Sequence, residues 1–339
     1  MNIGPLRIDP PLLLAPMAGF SNAAFRQMVC RFGGVGLLTT EMVHARGFLE
    51  MERRRKGLSD RLFGLDRPGD TPTAVQIWDN DAQALAETAE KLLRQFPISA
   101  IDLNFGCPME DVTLKADAGA WLLQFPEQME NIVRQVVAAA GSVPVTAKIR
   151  LGWSADSLNV LENAQMLEEA GVQALTVHGR TACQMYRGEA DWEKIAAVKT
   201  VLRKIPLIGN GDLRTPRQAA RAFHDYGVDG VMVGREALKR PWFFRQTQLL
   251  MAGEPEEVWN FSLTPKEQKA LLLEHFRLLL EQHTEQESTM MMRRFAPCYG
   301  TGLAYAKRFR VAIATASTAE AFYQVVEEFF PVELHPGYK

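Results

Sequence analysis

A (β/α)8 barrel followed by a small all-helical domain is the α/β fold class this sequence predicts, and two observations predict it. Eight short apolar runs alternate with longer stretches of helical periodicity across roughly the first 240 residues. Polar residues stand at the ends of nearly all eight runs rather than at one crevice, and no Gly-x-Gly-x-x-Gly follows the first run. Both facts favour a closed barrel over its rival, a doubly wound open sheet.

The runs begin near Leu12 (LLLAP), Val35 (VGLLTTE), Thr73 (TAVQIW) and Ser99 (SAIDLN), then near Pro144 (PVTAKIR), Gln173 (QALTVHG), Pro206 (PLIGNGD) and Asp229 (DGVMVG). Most are apolar throughout, as strands covered on both faces should be. Asp81 to Arg94, Pro126 to Ala139, Asn159 to Ala170 and Thr215 to Tyr226 carry helical spacing, the last two stopping at Gly171 and Gly227. VPVTAKIR at 143–150 and IPLIGNGD at 205–212 echo each other: each is an apolar strand led by proline whose last residues turn polar. Strand signals stop near Pro241, and LTPKEQKALLLEHFRLLLEQH opens a helical segment behind a Thr-Pro start. Residues 1–244 thus read as the barrel and 245–339 as the helical domain.

Composition narrows the function. At 339 residues the chain suits one large barrel with an appendage, and 47% hydrophobic residues are too many for a disordered protein. A net charge of -2 excludes a uniformly basic nucleic-acid binder but leaves room for a basic patch. Cys30, Cys107, Cys183 and Cys298 are far apart, with no Cys-x-x-Cys pair and no Cys/His cluster at zinc spacing, so neither structural disulfides nor a metal is expected. The N-terminal apolar run is too short to span a bilayer and makes a poor signal peptide. The expected setting is the cytoplasm, without a membrane partner.

A barrel carries its reactive groups at the C-terminal ends of its strands. Those ends supply Ala15-Pro16-Met17-Ala18, Glu41, Gln76, Asn104 with Cys107 just beyond, Lys148 and Arg150, His178 with Arg180, Asn210-Gly211-Asp212, and Gly234-Arg235. Gly211 and Gly234-Arg235 follow the last two strands, where barrels commonly hold a phosphate, although each glycine alone could simply make a tight turn. Lys148 has three readings: a snorkelling structural lysine, a Schiff-base nucleophile, or a fixed cation beside an electron-rich ring. His178 could donate a proton, orient a ligand or merely pack. Cys107 lies in a loop tightened by Gly106 and Pro108, and an unperturbed thiol there suits a proton donor better than a permanent nucleophile.

Together LLLAPMAGFSNAAFR, the TE after the second run, VQIW, DLNFGCP, AGAWLL, KIRLGW, VHGRT, NGD, and VGREAL followed by RPW resemble the tRNA-dihydrouridine synthase family, in register from about Leu12 to Phe244 and closest to its bacterial B-type branch. The resemblance implies an FMN-dependent, NADPH-using reductase with a C-terminal RNA-binding domain. It implies that Pro16, Met17, Ala18, Gln76, Lys148, His178, Asn210, Gly211, Asp212, Gly234 and Arg235 surround FMN. A hydride would reach C6 of a uracil, Cys107 would protonate C5, and Asn104 and Arg180 would hold the base. Two departures stand out: Met109, Glu110 and Asp111 follow the catalytic cysteine where the family carries basic residues, and Arg293-Arg294-Phe295 replaces the usual Arg-Lys-His.

Charge points to RNA on separate grounds. No Asp or Glu lies between Ser288 and Ala319, a stretch holding Arg293, Arg294, Lys307, Arg308 and Arg310 among Phe295, Tyr299, Tyr305 and Phe309. A second run, Arg53-Arg54-Arg55-Lys56, reads as an exposed helix end. The expected partner is tRNA or another structured RNA, bound by a monomer with Arg293 and Arg294 on the substrate. The alternatives are a flavin barrel reducing a free pyrimidine, a lyase using Lys148, a catalytically altered homologue acting on a different RNA, and a non-enzymatic RNA-binding descendant.

Overall fold

Parallel strands joined by helices must close on themselves or leave two edges, and this chain closes. The computed structural model describes residues 1–54, 65, 69–301 and 305–330. Its barrel strands are β1 Leu12–Leu14, β2 Leu38–His44, β3 Thr73–Trp78, β4 Ala100–Phe105, β5 Val145–Arg150, β6 Leu175–His178, β7 Leu207–Asn210 and β8 Gly230–Val233. Each pairs in parallel with the next from β2 to β8, and β8 pairs with β1. A parallel bridge between Leu13 and Leu37 shuts the ring. This is a (β/α)8 barrel, with strands near all eight expected positions.

The outer layer is α1 Ala23–Phe32, α2 Ala45–Arg53, α3 Ala82–Gln95, α4 Pro126–Ala140, α5 Val160–Ala170, α6 Trp192–Ala197, α7 Pro216–Tyr226 and α8 Phe243–Met251. Local chemistry sets where these begin. Thr215 accepts from the N–H of Gln218 while the Gln218 side chain accepts from the N–H of Thr215, and Pro216 fills the first helical position. At the base of the barrel a hairpin of Asn2–Ile3 and Leu6–Arg7 packs Ile3 and Ile8 onto the small inward residues Ala74, Ala100 and Ala174. Large side chains from outside thus fill what small ones inside leave open.

The boundary expected at residue 244 falls inside α8, which packs on α7 and belongs to the barrel's outer ring. Past it come α9 Pro265–Leu280, α10 Glu285–Tyr299, α11 Ala306–Thr315 and α12 Ala319–Phe329. Capping boxes at Thr264/Glu267 and Thr284/Glu287 open the first two. Phe276 and Phe322, with ring centroids 4.2 Å apart, lie in the core of this unit. Arg55 and Lys56 of the Arg53 run lie outside the described residues, as does 331–339.

The helical unit is seated directly on the barrel. Phe295 stacks on Phe25 at 5.6 Å and meets the edge of Phe20 at 5.3 Å, while Arg31 of α1 pairs with Glu274 of α9. This corrects one inference from sequence: Phe295, Tyr299 and Phe309 are core residues, and of the four aromatics in the basic stretch only Tyr305 is exposed. Helical periodicity turns the others inward. Lys307, Arg308 and Arg310 remain on the surface of α11. No helix among the described residues is long and apolar enough to cross a membrane. Because Phe295 is fully buried where the two units meet, Phe295→Ala should cost about 3–5 kcal/mol, read as a lowered midpoint in chemical denaturation.

Candidate active site

All eight strands point their C-terminal ends at one cavity of about 660 Å3. Pro16, Met17, Ala18, Gln76, Asn104, Cys107, Lys148, His178, Asn210, Gly211, Asp212, Gly234 and Arg235 all line it. Strand register brings them together: Gln76 lies opposite Asp102, Asn104 opposite Lys148, and His178 opposite Asn210. Inward-facing positions on adjacent strands therefore form layers, and here the upper layers are polar. Glu41, expected at a strand end, lies in the middle of β2 and accepts from the N–H of Gly19, tying down the loop that follows β1.

Four arginine and lysine side chains set the electrostatics. Burial, with Arg150 beside it, brings the Lys148 ammonium down to about 8. No hydrogen-bond or ion-pair partner for it occurs among the described residues. Burial first, then Lys148, Arg150, Arg180 and Arg235, hold the His178 imidazole well below its ordinary value. Its Nε2 lies 3.3 Å from Nη1 of Arg180, and a guanidinium only donates, so the ring is neutral with its proton on Nδ1. The ring therefore faces the cavity uncharged. Burial pushes the Asp212 carboxyl up, but the N–H of Ala190 and the guanidiniums of Arg180 and Arg235 outweigh it and keep the group ionised.

Cys107 is held at the rim. Its N–H donates to Oδ1 of Asn104 at 2.8 Å, and its carbonyl accepts from the N–H of Ala120 at 3.0 Å. Burial raises the thiol above its ordinary range, so the sulfur carries its proton at neutral pH. Gly119, at φ +58°, passes under this loop: a Cβ there would meet the Cys107 carbonyl oxygen at 2.8 Å and Val112 at 2.7 Å. Glu110 and Asp111 are exposed at the start of the short helix Glu110–Thr113, and Asp111 pairs with Lys115 at 2.6 Å.

Three expected substrate residues lie elsewhere. Arg180 is 1% exposed and stands behind the cavity wall, donating to Asp212 at 2.5 Å and to the carbonyls of Gly188 and Arg187. It braces the loop and does not reach the mouth. Arg293 donates to the carbonyl of Ala316 at 2.8 Å inside the helical unit. Arg294 reaches the barrel, its Nη1 lying 2.7 Å from the position a Cβ on Gly19 would take, without lining the cavity.

Sequence reasoning passed over other residues. Tyr186 lines the cavity, 55% exposed, with Arg235 5.0 Å and Arg150 5.7 Å from its ring. An aromatic eight positions after the polar strand end at His178 was the available signal. Asp102, buried below the mouth, was signalled by a lone carboxylate inside an apolar strand.

Two outcomes follow from this geometry. Gly119→Ala forces the Cys107 loop to move and should lower turnover about tenfold or more while leaving the fold intact, measured by steady-state rate beside circular dichroism. Between about pH 8 and the ordinary lysine value of 10.5, the unfolded chain keeps a proton on Lys148 that the folded chain has released. Stability of the cofactor-free protein should therefore rise with pH across that window relative to Lys148→Met, as read from denaturation midpoints.

A family profile described as dihydrouridine synthase (Dus) matches residues 13–334. The tRNA-dihydrouridine synthase B of Pseudomonas syringae pv. tomato is 38% identical over 97% of this chain and 94% of its own length. That of Pseudomonas aeruginosa is 37% identical over 99% of this chain and 98% of its own. Among solved structures, histamine dehydrogenase from Rhizobium sp. 4-9 superposes with a TM-score of 0.55 at 13% identity, over 75% of this chain and 48% of that one, a likeness of fold alone. With the profile spanning nearly the whole sequence, strand tips included, the chain belongs to the dihydrouridine synthase family.

Proposed function

We propose that this chain is an FMN-dependent, NADPH-using reductase that converts uridine to 5,6-dihydrouridine in tRNA. The observation that carries the reading is a protonated thiol, Cys107, at the rim of a cavity that also presents the unpartnered ammonium of Lys148. The names of the relatives supply the substrate class.

The residues present fit FMN. Gly211, at φ +131°, turns the chain tightly against Ala190 and His178, which a Cβ would meet at 2.5 Å and 3.2 Å, and so brings its bare backbone to the cavity wall where a phosphate would lie. Arg235 lies beside it, its Nη2 held by Asp212 at 3.1 Å, as a cation for a phosphate. Lys148 offers positive charge and an N–H donor to an electron-rich ring edge, and Gln76 lines the same cavity with its amide held by Asp102 and Asn104. FMN bound there supplies the hydride needed at C6 of a uracil.

Cys107 then has one task, to give a proton to C5, and burial keeps its thiol in the form that can do so. Asn104, whose amide is already engaged by Gln76 and the Cys107 loop, keeps that thiol in place. A uridine must leave its stack to enter a cavity this deep in the barrel end. Lys307, Arg308 and Arg310 on α11 offer phosphate contacts, which make binding strongly dependent on salt.

Purified protein should be yellow, and NADPH should bleach it; a colourless protein that takes up no added FMN would sink the proposal. Cys107→Ala should keep flavin and bleaching yet lose RNA turnover by about a hundredfold or more, and undiminished turnover would remove the thiol from the chemistry. Nucleoside analysis of RNA from a deletion strain, separated by species, identifies the RNA that is modified.

A further inference from the structure

Below the cavity, two residues nearer the barrel base than Asn104, the carboxylate of Asp102 is 3% exposed and lines nothing a ligand touches. Its Oδ1 accepts from the hydroxyl of Thr146 at 2.6 Å, and its Oδ2 from Nε2 of Gln76 at 2.6 Å. Gln76 Oε1 accepts from Nδ2 of Asn104 at 2.8 Å. Asn104 Oδ1 accepts from the backbone N–H groups of Gly106 at 3.0 Å and Cys107 at 2.8 Å. These contacts form one chain, from a carboxylate in the barrel interior to the backbone of the reactive cysteine.

Only one arrangement of donors satisfies that chain. Oδ2 of Asp102 accepts, so Gln76 turns its NH2 toward it. Backbone N–H groups only donate, so Asn104 must turn its oxygen toward the loop. The two fixed ends then leave Oε1 of Gln76 facing Nδ2 of Asn104, which is the contact observed. Amide orientations are otherwise ambiguous, and here both ends dictate the same polarity.

We propose that Asp102 is a positioning residue for Cys107, acting through Gln76 and Asn104 to pin the backbone at Gly106 and Cys107. The proposal deepens the reading of Cys107 as the proton donor and rests on it for its catalytic meaning. With Asp102 gone, Gln76 loses the partner that fixes its amide, Asn104 is free to turn, and the loop loses two hydrogen bonds.

The test is alkylation of Cys107 by iodoacetamide in the full-length holoprotein, followed by mass spectrometry of the Cys107 peptide, with circular dichroism confirming the fold. Asp102→Leu should speed alkylation about tenfold, the factor one lost buried hydrogen bond supplies, and lower kcat more than it raises KM for RNA. Asp102→Asn should restore most of the wild-type behaviour, because its oxygen still accepts from Gln76 while its NH2 donates to the Thr146 hydroxyl. Adding Asp102→Leu to Asn104→Ala should produce no further acceleration beyond Asn104→Ala alone. A folded Asp102→Leu protein alkylated at the wild-type rate, additive effects in the double variant, or an Asn variant as impaired as the Leu variant would each overturn the relay. Thiol reactivity is read without any substrate, so protein that makes no dihydrouridine but shows the expected order of rates refutes the proposed function and not the relay.

Discussion

The structure depends on burying polar groups inside a closed ring of strands. Eight parallel strands leave no free edge, so every inward side chain must find its partners within the cylinder or at its mouth. Near the base the chain meets this with apolar contacts, Ile3 and Ile8 against alanines. Higher up it places Thr146, Asp102 and Gln76 on three adjacent strands in one register. A carboxylate this deep is tolerable only because both of its oxygens receive hydrogen bonds at 2.6 Å. Burial still pushes its carboxyl up, with Thr146, Gln76 and then Lys148 opposing that shift.

Charge at the mouth follows the same logic. Lys148, Arg150, Arg180 and Arg235 all act on His178, and the acidic group among them, Asp212, divides its oxygens between Arg180 and Arg235. Arg150 is 2% exposed and donates to the carbonyls of Gly106, Thr181 and Met185, so it joins the Cys107 loop to the loop after β6. Only part of this positive charge faces a ligand; the rest holds loops together. The outcome is a cationic recess with fixed walls, suited to groups that carry or develop negative charge.

The barrel was legible because its signals are local. Apolar runs bounded by turns mark strands, and a strand in a barrel delivers its last residue to a known end, so thirteen of the expected site residues could be listed from their positions and surround one cavity. Arg180 shows where that reasoning stops: sequence places it two residues past a strand end, but an Asp from the neighbouring strand turns it inward. Phe295, Tyr299 and Phe309 were misread for a related reason, since a basic stretch does not reveal which helical face another helix will cover. The end of the barrel was obscured because α8 follows the last strand without any break in helical character. Asp102 escaped notice because its partners come from strands 26 and 44 residues away in the chain.

The ring is unevenly stitched. Neighbouring strands share three to five paired residues everywhere except between β1 and β2, where one bridge, Leu13 with Leu37, and backbone hydrogen bonds from Leu14 to Leu37 and from Gly36 and Leu37 to Leu12 complete the circle. Transient opening of a cylinder begins where the fewest backbone bonds must part, and amide protons along that line trade with solvent soonest. Since β1 continues directly into Pro16, Met17 and Ala18, any loosening of this join reaches the cavity wall first at those three residues.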